Sequence, residues 1–231
     1  MEFQRRNGTT PENKVWYLKC NQLFANASAE IVEGAERIFT MKLHPPKALL
    51  FDQGDTDRII FLIKTGKVRL TRLTEDGKEV TVAILGPGDM LGEDTLFDKG
   101  AKRTTNAIVL EEALVCSSKA EDLFALVSGN ADLAINVAQV LNQKLIHASA
   151  AMEDLAYAKL SERLMHLFSR LATEYGLATP RGTKLDIRLT HSDIASLVGS
   201  TRESVSAEMS LLAQSGRIMV DDRAITLPPN V

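Results

Sequence analysis

Gly92, Glu93 and Arg103 fall within one turn-rich stretch, Leu91–Thr105, and their types suit recognition of a phosphate diester carried on a sugar. A glycine lets the main chain approach a ligand, a carboxylate accepts from hydroxyl groups, and a guanidinium presents a planar fork of donors that matches phosphate oxygens. Taken alone, the pattern is better described as a Glu93–Arg103 salt bridge closing a surface loop.

A second group of residues has the types and spacing to read DNA. Residues 199–217, from Gly199 to Arg217, have the pattern of the second half of a helix-turn-helix. Thr190-His191-Ser192-Asp193 opens a short helix whose apolar side is Ile194, Ala195, Leu197 and Val198, and Gly199 breaks it with a left-handed turn position. Ser200 is the expected N-cap of the next helix, with Glu203 three residues on, and Val205, Met209 and Leu212 recur at helical spacing. Arg202 and Glu203 then occupy the exposed first turn, the part of a recognition helix that reaches base edges. The competing reading is a surface helical hairpin in which Glu203 only completes a capping box with Ser200.

Three kinds of segment position these residues. Short strand-like pieces run through Ile38–Lys42, Ala48–Phe51, Ile59–Ile63, Lys67–Leu73, Val80–Leu85, Asn106–Val109 and Ala113–Ser117, punctuated by Gly54, Gly66, Asp76-Gly77 and Gly86-Pro87-Gly88. They predict an antiparallel β-roll over residues 1–130, with the clearest hairpin at Asp76-Gly77. From Ala131 the pattern becomes a heptad: Ala134, Ala138, Leu141, Leu145, Ala148, Met152 and Leu155 alternate steps of four and three. A helix over 131–156 that pairs with a second copy fits this seam; a helix lying on its own β-roll is the alternative. Residues 157–231 hold a further amphipathic helix (Leu160, Leu164, Leu167, Phe168, Leu171), a short strand at Leu185–Leu189, the helix-turn-helix, and a wing. The wing is a hairpin of Ile218–Val220 and Ala224–Thr226 turning at Asp221-Asp222-Arg223. The fold class is α+β.

Composition excludes several alternatives. The 231 residues are 45% apolar and 25% charged, enough to bury a core without disulfide staples. No run of about 18 apolar residues and no N-terminal apolar h-region occur, so a cytoplasmic protein without a membrane partner is expected. Cys20 and Cys116 are isolated, and His44, His147, His166 and His191 show no ligand spacing, so neither a metal site nor a catalytic cluster is expected. A cupin-like β-roll enzyme would need clustered histidines. Net charge is −3, and residues 159–231 carry nine Lys/Arg against eight Asp/Glu, a weak footprint for a nucleic-acid binder. DNA affinity must then come from a locally basic face doubled by dimerisation.

The glycines Gly54, Gly66, Gly77, Gly88 and Gly92, the ten-residue step from Glu93 to Arg103, the long helix and the terminal winged helix-turn-helix together resemble the cyclic-AMP receptor protein/FNR family over nearly the whole chain. The resemblance implies a homodimeric bacterial transcription regulator, with double-stranded DNA of two-fold symmetry and RNA polymerase as partners. It implies a cyclic nucleotide, cyclic AMP or a relative, as effector. Glu93 would accept from the ribose 2′-hydroxyl, Arg103 and Thr104 would hold the phosphate with Gly92 and Thr105 lining the site, and Ser149 falls where the family contacts adenine. Two positions depart from the family pattern: Ala148 replaces a hydroxyl residue, and Asp94 replaces the apolar residue that normally follows the glutamate, where a carboxylate repels a phosphate unless it faces away.

On the DNA side, the resemblance gives Arg202 to guanine and Glu203 to cytosine, with Thr190, Ser200, Thr201 and Ser206 completing the DNA-binding surface. Ala207 stands where the family usually has a second arginine, and Glu208 follows it. A TGTGA-like half-site read more loosely is the expectation. The missing cysteine cluster argues against iron–sulfur sensing. Activation without any effector, known in the family, is the alternative to nucleotide control.

Overall fold

The computed structural model describes residues 17–18, 21–221 and 224–229; Cys20 lies outside them. Contacts divide the chain into two units: residues up to Glu79 with Ala83–Lys144, and Val80–Val82 with Leu145 onward.

In the first unit, β1 (Thr40–His44), β8 (Ala113–Lys119), β3 (Ile59–Thr65) and β6 (Met90–Leu91) form one antiparallel sheet in the order β1-β8-β3-β6. A second has the order β2-β7-β4-β5, from β2 (Leu49–Phe51), β7 (Asn106–Val109), β4 (Val68–Leu73) and β5 (Glu79–Leu85). Strand β3 shows why two layers form. Alternate side chains point to opposite faces, so Phe61 and Ile63 enter the interior of the roll with Phe51, Val68, Leu91 and Val109. Ile60 and Leu62 enter a second core, made with α1 (Ala29–Ile38), α3 (Ala120–Ser128) and the start of α4 (Ala131–Tyr157). A strand buried on both faces reads as a continuous apolar run, which Ile59–Ile63 is.

Helix α1, the four-residue α2 (Asp94–Phe97) and α3 are additions to the predicted roll. The strand expected at Ile38–Lys42 begins only at Thr40, because Ile38 closes α1. Ser28 caps that helix by accepting from Ile31 N, and Val32 and Ala35 bury its inner face.

The start of helix α4 packs on the first unit through Leu133 and Val137, with Asn136 donating to the carbonyls of Leu23 (3.1 Å) and Ala25 (2.9 Å). The heptad stripe lies elsewhere. Ala134, Ala138, Leu145, Ala148, Met152 and Leu155 are exposed, while Leu141 is half-buried against the second core. Leu145 and Met152 are 64% and 70% exposed, unusual for aliphatic residues this large.

The second unit contains α5 (Leu160–Tyr175), which buries Leu164, Met165, Leu167, Phe168 and Leu171, and the sheet β11-β12-β10-β9. Its strands are β9 (Gly176–Thr179), β10 (Gly182–Leu185), β11 (Met219–Asp221) and β12 (Ala224–Leu227). The strand expected at Leu185–Leu189 is corrected to Gly182–Leu185. Leu185, Ile187 and Leu189 do alternate inward and are buried, but only residues up to Leu185 have ladder partners, in β9 and β12.

Thr190 and Asp193 form a reciprocal capping box at the start of α6 (His191–Leu197). Gly199, at φ +61°, takes the left-handed position that ends it. The next helix, α7 (Arg202–Gln214), is capped by Thr201, whose hydroxyl accepts from Ser204 N at 3.2 Å. The expected cap, Ser200, therefore lies one residue too early, and Glu203 is not a capping-box partner. The wing turn residues Asp222 and Arg223 lie outside the described residues.

Candidate functional site

Gly92 follows β6 directly and has φ +90°. A Cβ there would stand 2.5 Å from the carbonyl oxygen of Ile59 and 2.6 Å from Nη1 of Arg103, so only glycine lets the arginine lie against this turn. Arg103 is 1% exposed. Its main chain is tied to the loop before β3, with Gly54 N donating to Arg103 O and Arg103 N donating to Asp55 O, each at 2.8 Å.

The guanidinium uses every donor it has. Nε donates to Asp57 Oδ1 at 3.0 Å, and Nη2 to Asp57 Oδ2 at 3.4 Å and Ile59 O at 2.5 Å. Nη1 donates to Gly92 O at 3.2 Å and Asp94 Oδ1 at 3.1 Å. Five N–H groups thus meet five acceptors. A buried cation is tolerated only when paired and hydrogen-bonded, and two carboxylates supply that compensation here.

Glu93 and Arg103 form no salt bridge with each other. Glu93 instead pairs with Lys144 of α4, whose ammonium also donates to Met90 O at 2.7 Å. Asp94 begins α2 and turns toward the arginine: its second oxygen accepts from Thr104 N at 3.4 Å. Thr104 is exposed, Thr105 is buried, and Ser149 is exposed on α4.

Asp57 and Lys144 are site residues that sequence reasoning missed. Lys144 had a signal, being the one Lys or Arg in α4, a turn before Ala148. Asp57 had none, because 46 residues separate it from Arg103 and they meet only through the fold, where the loop before β3 bonds to the main chain of Arg103.

In the second unit, Thr201, Arg202, Glu203 and Ser204 are exposed on the first turn of α7. Glu203 has no capping duty there. Thr190 is exposed but engaged with Asp193, and Ser200 is half-buried, its amide donating to Ala195 O at 2.9 Å. Ser206 donates to Arg202 O at 2.8 Å and meets His191 Nδ1 at 2.7 Å, which fastens the two helices together. Arg163 of α5, also missed, donates to the carbonyls of Val198 and Gly199 at the C-terminal end of α6. A cation satisfies orphan carbonyls there and opposes the helix dipole. Among the described residues, no group of three His, Cys, Asp or Glu is placed to hold a metal ion.

A β-roll with this turn, joined to a winged helix-turn-helix, defines a DNA-binding regulator with a cyclic-nucleotide-binding type of domain. Comparisons agree: the cyclic nucleotide-binding domain model matches residues 41–130 and the Crp-like helix-turn-helix domain model matches residues 162–228. The chain is 33% identical over 199 residues to the Cyclic AMP receptor protein of Thermus thermophilus, covering 86% of this chain and 88% of that one. It is 28% identical over 195 residues to the Global nitrogen regulator of Synechocystis sp., covering 80% and 86%. The solved structure of the c-di-GMP responsive global regulator CLP of Xanthomonas campestris has the same fold, with a TM-score of 0.74 at 20% identity over 87% of this chain and 99% of that one. The chain belongs to the cyclic-AMP receptor protein/FNR family, whose members are DNA-binding transcription regulators and not enzymes.

Proposed function

We propose that this regulator is a cytoplasmic homodimer that reads a two-fold symmetric DNA site and answers to a cyclic nucleotide, cyclic AMP being its effector. The observation that carries the effector reading is the buried Arg103 guanidinium held against Gly92 with Glu93 one residue further on. In this reading Glu93 accepts from the ribose 2′-hydroxyl, Arg103 and Thr104 hold the phosphate beside Gly92 and Thr105, and Ser149 contacts the base.

The exposed seam of α4 supports pairing with a second copy, in which residues 131–156 form the dimerisation helix between a sensing domain (1–130) and a DNA-binding domain (157–231). Arg202 and Glu203 read base edges, while Thr190, Ser200, Thr201 and Ser206 position the helix on the backbone. Nucleotide binding favours the dimer form in which both recognition helices meet successive major grooves, about 34 Å apart. RNA polymerase is the partner through which transcription is activated.

A second reading, activation without an effector, is favoured by one observation: every donor of Arg103 is already taken. Calorimetry of the protein with cyclic AMP and cyclic GMP separates the two. Saturable binding of cyclic AMP that Arg103→Ala abolishes supports nucleotide control. Heats indistinguishable from dilution for both nucleotides favour the effector-free reading.

A further inference from the structure

The geometry points to Asp94 as the resident anion of the β-roll pocket and as the residue that sets its selectivity toward phosphate. The inference rests on the reading of Arg103 as the phosphate-binding arginine. Of the groups that accept from Arg103, two are main-chain carbonyls, of Ile59 and Gly92, which the pairing of β3 with β8 and the turn after β6 hold in place. Asp57 takes the opposite edge of the guanidinium, through Nε and Nη2, from a loop that is itself bonded to the main chain of Arg103.

Asp94 differs from all of these. Its two carboxylate oxygens take Arg103 Nη1 at 3.1 Å and the Thr104 amide at 3.4 Å, one donor from each of the residues proposed to hold the phosphate. The side chain is 28% exposed, whereas that of Arg103 is fully buried, so Asp94 has a path outward and the arginine has none. A carboxylate bridging those donors has the charge and acceptor arrangement of two phosphate oxygens.

The two anions cannot share these donors, because like charges at contact distance repel strongly in a half-buried site. A cyclic nucleotide therefore enters only by displacing the Asp94 side chain from Nη1 and Thr104. Two consequences follow. Affinity for any cyclic nucleotide is set by that exchange and is weaker than the pocket could otherwise provide. With no nucleotide present, the donors remain occupied by the protein's own carboxylate, and the pocket keeps the geometry of an anion-filled site.

Calorimetric titration of cyclic AMP into the full-length wild type, Asp94→Ala, Asp94→Asn and Arg103→Ala proteins tests this. Arg103 keeps four of its five hydrogen bonds in Asp94→Ala, and the melting temperature of each variant reports folding independently. Removing a charge-assisted competitor should tighten binding about 10- to 100-fold in Asp94→Ala, with a smaller gain in Asp94→Asn, which keeps the volume and one acceptor. Tighter binding by Asp94→Ala supports the inference whether or not the wild type binds; if the wild type does not, it also overturns nucleotide control of the natural protein. Equal binding by wild type and both Asp94 variants overturns the inference and leaves nucleotide control standing. No binding by any of the four overturns both.

Discussion

The guanidinium carbon of Arg103 lies 4.3 Å from the centroid of the Phe51 ring, at the end of β2. Phe51 is buried and also meets Phe61 with ring centroids 5.9 Å apart, so the site arginine stacks on the roll's own core. Replacing the ring by Leu keeps most of the apolar volume and removes the π face. Phe51→Leu should lower unfolding stability by about 1–2 kcal/mol in urea titrations. In an Arg103→Ala background the same substitution should cost less, by roughly 0.5–2 kcal/mol, because the stacking partner is gone. Equal costs in both backgrounds would show that the ring serves the apolar core alone.

Gly92 supplies a second test of how the site is built. Its φ of +90° and the 2.5 Å approach of an added Cβ to Ile59 O leave no room for a side chain. Gly92→Ala should lose about 1–3 kcal/mol of stability, and it should also shift Arg103 and weaken cyclic-nucleotide binding. Wild-type stability and wild-type titration curves in this variant would contradict the described turn.

The exposed stripe of α4 predicts an assembly. Glutamate at both Leu145 and Met152, which are 64% and 70% exposed, should leave the fold of each unit unchanged and yield monomers in light scattering. Those monomers should bind DNA far more weakly than the wild type. A stable dimer in the double variant would mean that the α4 seam is not the interface.

Much of this architecture is legible in the sequence, and the reasons are physical. Strands β2 to β5 announce themselves through apolar runs followed by glycine turns, β7 and β8 through their apolar runs alone, and the strand Asn106–Val109 has the bounds the sequence predicts. The helix pair around Gly199 follows from the same turn chemistry, and the two strands of the wing from their short apolar runs. The failures share a cause in context. Leu185–Leu189 has the alternation of a strand, yet only ladder partners make a strand, and β9 and β12 reach no further than Leu185. Ser200 and Thr201 are both acceptable caps, and the hydroxyl that meets an amide is decided by the turn after Gly199. The candidate site was legible as the turn of Gly92, Glu93 and Arg103, but the groups these residues meet were not. Asp57 and Lys144 come from distant positions, and Asp94, read as a misfit beside a phosphate, faces the arginine directly.

Arg202 and Glu203 carry the central claim, that this chain reads DNA sequence through the first turn of α7. Because Thr201 caps the helix, Glu203 is free for a base, and its replacement by Gln should alter specificity without cost to the helix. Arg202→Ala should lose about 1–3 kcal/mol per half-site and relax preference at one base pair, whereas loss of a phosphate contact would weaken all sequences alike. The decisive measurement is a binding-site selection from random DNA with wild type, Arg202→Ala and Glu203→Gln. The expected result is a two-fold symmetric motif for the wild type, with preference lost or changed at one position of each half-site in each variant. The same motif from all three proteins, or no enriched motif from the wild type, would contradict base reading by this helix.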